Sequence, residues 1–122
     1  CSASVPRRIE MAIEIAKEPK EPEVILQRIY DSIGTGLAVS ESIPSALALV
    51  QLSKGEPNLC ARYAANMGGD TDTIGSMACG ICGAYRGDGI FDKKDVQLLE
   101  KVNRISFEKL TDSIEKAIAQ IS

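Results

Sequence analysis

The sequence predicts an all-α, bundle-like helical domain, and three observations carry that prediction. Aromatic residues make up only 4% of the chain and Trp is absent, so the core falls to Ile, Leu, Val, Met and Ala, which favours closely packed helices over a sandwich. Apolar residues recur three and four positions apart through successive segments. No segment alternates convincingly with period two. At 122 residues and 44% hydrophobic content, residues 1–122 read as a single helical domain or domain fragment with a modest core.

The elements follow in order. "SVPRRIEMAIEIAKE" places Val5, Ile9, Ala12, Ile13 and Ala16 at helical spacing. "PKEPE" breaks that helix and reads as a solvated turn, with Pro22 suited to the first turn of the next helix. "PEVILQRIYDSIG" then sets Leu26, Ile29, Tyr30 and Ile33 on one face, with Gly34 as its end. "GTGLAVSES" reads as a loop, where Glu41 and Ser42 serve to cap a helix or face a substrate. "IPSALALVQLSKG" reads as a buried helix with Pro44 in its first turn and Gly55 at its end. Asn58 is placed to cap "LCARYAANM", which runs into Gly68 and Gly69. "TIGSMACGICGAYRG", "DKKDVQLLEKVN" and "SFEKLTDSIEKAIAQIS" complete the helices. In the last, Leu110, Ile114, Ala117, Ile118 and Ile121 stand in register, and Asp112 with Lys116 forms an i,i+4 pair. The chain shows no internal repeat and no low-complexity tract.

Composition excludes several functions. A formal charge of −3 leaves no basic footprint for nucleic acid, and no apolar run reaches the roughly 18 residues of a membrane span. No secretion signal precedes the first helix, so the chain is expected to be cytoplasmic. The complete absence of His removes Ser-His-Asp and Cys-His catalysis and imidazole-bound zinc, so carboxylates or metal-bound water must do any chemistry. Cys79 and Cys82 form "CGIC" inside a helix rather than where a strand meets one, which points to small-residue packing instead of a redox pair. Gly75, Cys79 and Gly83 make one small-residue stripe, and Ser76, Gly80 and Ala84 another, as expected of a central helix crowded by neighbours. Cys1 in place of Met reads as a boundary of a longer or processed polypeptide rather than as an N-terminal nucleophile.

The chemistry concentrates in "NMGGDTDTIG", Asn66 to Gly75, at a junction between two helices. If the chain turns sharply at Gly68 and Gly69, then Asp70, Asp72 and Thr73 can present oxygens to one point. Hard oxygen donors without His or Cys favour Mg²⁺, Mn²⁺ or Ca²⁺. The residues alone leave a second reading open, in which Asp70 or Asp72 caps a helix and no metal binds. A calcium loop beginning at Asp70 fails, because Ile74 and Ile81 stand where oxygen ligands are needed. The Asp-x-Asp of haloacid-dehalogenase phosphatases fails on context, since a helical pattern and glycines precede Asp70.

"GGDTDTIGSMACGICGAYRG" resembles the C-terminal metal motif of the ADP-ribosylglycohydrolase family, and "GTGLAVSESIPSALALV" is similar to the helix those proteins carry upstream. The matched core spans residues 34–87. The resemblance implies an all-α fold and two bound divalent ions, usually Mg²⁺ or Mn²⁺. It makes Asp70, Asp72 and Thr73 metal ligands, with Asp72 bridging the ions and Thr71 serving the turn. Gly68 and Gly69 would then let backbone and substrate approach closely. The implied activity is cleavage of the glycosidic bond of an ADP-ribosylated protein or small molecule. Family members are longer, and their N-terminal portion supplies a Thr-Asp-Asp ligand group and an acidic catalytic residue. No Thr-Asp-Asp occurs here, so no catalytic residue is assigned, and "GDGIFDKKD" after Tyr85 departs from the family pattern. The expectation is the C-terminal part of such a fold, holding half a metal site, inactive alone and partnered by the absent N-terminal half. The alternative is a catalytically inactive helical module for binding or structure.

Overall fold

A computed structural model describes residues 4–122 and contains seven α-helices, with no strand among the described residues. They are α1 (Val5–Ala16), α2 (Pro22–Ser32), α3 (Val39–Leu52), α4 (Pro57–Met67), α5 (Thr71–Arg86), α6 (Lys93–Asn103) and α7 (Phe107–Ile121). They form two compact units, one ending at Ile90 and one spanning Phe91–Ser122. The expectations for Cys1 lie outside the described residues.

In the first unit α1 packs on α3, α4 on α5, and α3 on α5. Ile25, Ile29, Ile33, Leu49 and Ile74 are fully buried, joined by Ala12, Ala48, Cys60, Ala78 and Cys82. Each fully buried Ile or Leu contributes roughly 1.5–3 kcal/mol, so these aliphatic positions supply most of what holds the unit. The buried face of α1 runs through Ala12, Ile15 and Ala16, with Ile13 at its edge; Tyr30, expected on the inner face of α2, is 46% exposed. A Cβ on Gly75 would lie 3.2 Å from the Ala64 Cβ, a close approach that the small residues of α4 and α5 permit. Only the stripe of Gly75, Cys79 and Gly83 is half-buried. Ser76, Gly80 and Ala84 are exposed, so crowding by neighbours holds for one side of α5 and not the other.

Several helix starts differ from expectation. α3 begins at Val39, which puts Pro44 inside the helix instead of in its first turn. Proline has no N–H, so the Ser40 carbonyl loses its ordinary helical partner. Arg8 of α1 fills the gap: its Nε donates to the Ser40 carbonyl at 2.6 Å, and its Nη2 donates to the Ile33 carbonyl at the end of α2. α4 is capped by Glu56, not Asn58, because Pro57 occupies the first helical position and moves the cap upstream. The Glu56 carboxylate accepts from the amides of Leu59 at 2.6 Å and Asn58 at 3.0 Å, and these bonds hold its pKa below the ordinary value. Gly34 and Gly55 end α2 and α3 as expected. In the turn after α1, Glu18 pairs with Arg28 at 2.7 Å and with Lys20 at 2.9 Å.

In the second unit, Asp92 caps α6 through the Lys94 amide at 2.8 Å, and Ser106 caps α7 through the Lys109 amide at 3.4 Å. Arg104 takes a left-handed conformation between them, and Glu100 accepts from the Phe107 amide at 2.7 Å. Leu110, Ile114, Ala117, Ile118 and Ile121 lie in α7 at the expected spacing, yet none is buried. Asp112 and Lys116 form no ion pair. Among the described residues no helix is long and apolar enough to cross a membrane.

Candidate functional site

The acidic cluster does join two helices, and backbone geometry explains how. α4 stops at Met67 because Gly68 and Gly69 adopt φ of +86° and +79°, a region that L side chains rarely enter. Asp70, at φ −80° and ψ 62°, then sits at the centre of an inverse γ-turn closed by the Thr71 amide on the Gly69 carbonyl at 2.9 Å. The Asp70 N–H donates to the Thr35 carbonyl at 2.7 Å, tying this turn to the loop between α2 and α3. A Cβ on Gly69 would stand 2.0 Å from Thr35 Oγ1 and 2.5 Å from the Thr35 carbonyl, so the residue that Gly69 admits is Thr35. At Gly68 a Cβ would meet Tyr30 at an ordinary 3.6 Å, and the positive φ is what selects glycine there.

Asp70 occupies the N-cap position of α5 but makes no side-chain cap bond. Its Oδ2 is buried and has no hydrogen-bond partner. An orphaned buried oxygen costs about 1–3 kcal/mol, which a cation would offset. The helix-capping account therefore fails for Asp70. Asp72 lies exposed in the first turn of α5 with a lowered pKa; the Asp70 carboxyl is the largest cause, followed by the backbone N–H groups of Thr73 and of Asp72 itself. Thr73 is exposed one residue on. Asp70 at the N-cap and Asp72 and Thr73 in the first turn of α5 carry hard oxygen donors of the kind a divalent cation takes, and these three side chains fall short of the six oxygens Mg²⁺ demands. Among the described residues no group of three or more His, Cys, Asp or Glu is arranged so that it could hold a metal ion.

Glu41, read as a residue that caps a helix or faces a substrate, makes no cap bond: it lies in the first turn of α3 and accepts from the Gly36 amide at 2.8 Å. Ser42 is buried, at 5% exposure. Cys60, Cys79 and Cys82 are free thiols. Burial raises the Cys60 and Cys79 thiols above the ordinary value, away from the thiolate a redox pair needs. A groove lined by Leu26, Gln27, Tyr63, Asn66 and Met67 reaches the end of α4, and neither Asp70 nor Asp72 lines it. Sequence reasoning missed Thr35 and Arg8. Pro44 within an otherwise helical run was the available signal, since a mid-helix proline strands a carbonyl that some donor must serve.

Three known proteins resemble the chain over parts of their length. It is 40% identical over 115 residues to the uncharacterized protein YegU of Escherichia coli (strain K12), covering 94% of the chain and 34% of YegU. ADP-ribosylhydrolase ARH3 of Bos taurus is 31% identical over 78 residues, 56% of the chain and 21% of that protein. Its Homo sapiens counterpart is 31% identical over 77 residues, 55% and 21% respectively. The chain thus spans about a third of YegU and about a fifth of ARH3. No solved structure matches it. The family model for ADP-ribosylglycohydrolase matches residues 2–121, nearly the whole chain, and the chain belongs to that family.

Proposed function

We propose that the chain forms part of a divalent-metal-dependent hydrolase that cleaves the glycosidic bond of ADP-ribosylated proteins or small molecules. The observation that carries this reading is the buried, unpartnered Oδ2 of Asp70, two residues before Asp72 in the first turn of α5. In it, Asp70, Asp72 and Thr73 hold one side of a site for two Mg²⁺ or Mn²⁺ ions, and the remaining ligands come from the larger part of the fold that the relatives have and this chain does not match. Bound divalent cations supply positive charge that polarises ribose hydroxyls and acidifies water. The chain's own contribution is positioning. The γ-turn places Asp70 at the N-cap of α5, Gly68 supplies the positive φ that turns the chain there, and Gly69 makes room for Thr35. Carboxylates close to the anomeric carbon stabilise an oxocarbenium-like transition state. The free thiols support a cytoplasmic setting.

The chain alone should bind Mn²⁺ weakly and hydrolyse nothing. Calorimetric titration with Mg²⁺ and Mn²⁺ is expected to give a signal that Asp72→Ala removes. Mixing the chain with the unmatched portion of YegU is expected to produce Mg²⁺-dependent release of ADP-ribose. The rival reading, an inactive helical module, rests on the shortage of ligands in the turn. It gains if the titration is silent and the mixture releases nothing.

A further inference from the structure

We propose that Glu41 is a positioning residue for the Asp70 side of the cation site, acting through the single peptide group between Thr35 and Gly36. The inference rests on the metal-site reading above and adds to it a residue outside the acidic turn.

The Gly36 N–H donates to Glu41 Oε2 at 2.8 Å, and the Thr35 carbonyl accepts from the Asp70 N–H at 2.7 Å. Those two groups belong to the same planar amide, so their directions are rigidly linked. A carboxylate on the N–H end polarises the amide and strengthens the carbonyl at the other end as an acceptor. Glu41 and Asp70 therefore grip opposite ends of one plate, and the orientation of the Asp70 backbone follows from where Glu41 holds it.

The surroundings are shaped for this grip. A Cβ on Gly34 would lie 2.7 Å from Glu41 Cδ and Oε2, and one on Gly36 would lie 2.7 Å from Oε2, so the carboxylate fills the space both glycines leave. Ser45 Oγ donates to the Gly34 carbonyl at 2.7 Å, and Arg8 holds the Ile33 and Ser40 carbonyls on either side of the loop. Thr35 itself is 4% exposed. Glu41 is the third residue of α3, the position from which a capping-box glutamate would turn back to the N-cap amide of Ala38. It reaches past that amide to Gly36 instead, a choice that helix capping does not explain.

The test uses the 122-residue chain, with Mn²⁺ affinity read from paramagnetic broadening of the Asp72 and Thr73 amide signals, well below each variant's melting temperature. Glu41→Ala is expected to weaken Mn²⁺ about 10-fold, the scale of losing a group that orients a ligand. Glu41→Gln keeps an oxygen acceptor for Gly36 and should recover most of that loss. Gly36→Ala displaces the carboxylate and should weaken binding alone, but add nothing in the Glu41→Ala background. Ile15→Ala, a core change away from the loop, should lower the melting temperature and leave affinity unchanged. In the absence of metal, Glu41→Ala should also speed hydrogen exchange at the Asp70 amide.

Unchanged affinity in folded Glu41→Ala, with Asp70→Asn still abolishing binding, would overturn the positioning role while leaving the metal site standing. Equal damage from Glu41→Gln and Glu41→Ala would overturn it too, by showing that the charge acts on the ion directly. A wild-type chain that broadens no signal at all would remove the metal site, and this role with it.

Discussion

The two compact units reach helical structure by different means. In the unit ending at Ile90, α1, α2, α3 and α5 have no side-chain cap bond, and only α4 does; these helices are held by Ile29, Leu49, Ile74 and their buried neighbours. In the unit Phe91–Ser122 both helices are capped by side chains, at Asp92 and Ser106, and neither buries a residue. Good local signals define where a helix starts and stops. Burial makes it resist unfolding, and most helical stability in proteins comes from such packing. The acidic turn lies in the unit where packing dominates, and there Asp70 makes no side-chain cap bond.

The contrast is sharpest for core deletions. Leu49→Ala should destabilise the first unit by about 2–5 kcal/mol, the cost of lost transfer energy plus a cavity, whereas Ile114→Ala in α7 should change stability by roughly 0.5 kcal/mol or less. Denaturant unfolding followed by residue-resolved NMR measures both, and equal losses would break the distinction. Next in size, Arg8→Met removes the donor for the Ser40 and Ile33 carbonyls and should cost about 1–3 kcal/mol, with the change in amide exchange confined to the start of α3 and the end of α2. A smaller effect is expected in the second unit: Ser106→Ala should lose about 1 kcal/mol of α7 stability, visible as fraying of its first turn in chemical shifts.

The smallest effect concerns Glu56, the one side-chain cap of the first unit. Its pKa is lowered in the folded chain by the Leu59 and Asn58 amides, from an ordinary value of 4.5. A carboxylate with a depressed folded pKa stabilises fully above its unfolded value and loses that contribution as pH falls through the folded one. The difference in melting temperature between wild type and Glu56→Gln should therefore be constant above about pH 5 and shrink in more acidic buffer.

Much of the fold was legible because its signals are local. Gly34, Gly55 and Gly68 stand at helix ends as read, Pro22 begins α2, and all seven helices fall in segments that read as helical. The errors fell where a distant group intervened. Pro44 looked like a helix start because, within its own segment, nothing serves the carbonyl it abandons. Arg8, from another helix, does so. Asn58 looked like a cap because Asn is a good one, but Pro57 had already taken the first helical position. The acidic residues were found by composition, whereas the partner that Gly69 makes room for, Thr35, carries no signature of its own.

Periodicity, caps and glycines act over about one helical turn, so the chain's own order of residues determined that this protein is helical and where its charged turn falls. Which carboxylate oxygen is left without a donor, and which amide plate lies between Glu41 and Asp70, depend on segments far apart in sequence meeting with ångström accuracy. Only close packing of the assembled helices sets distances on that scale, because a packed interior leaves side chains and loops almost no freedom to settle elsewhere.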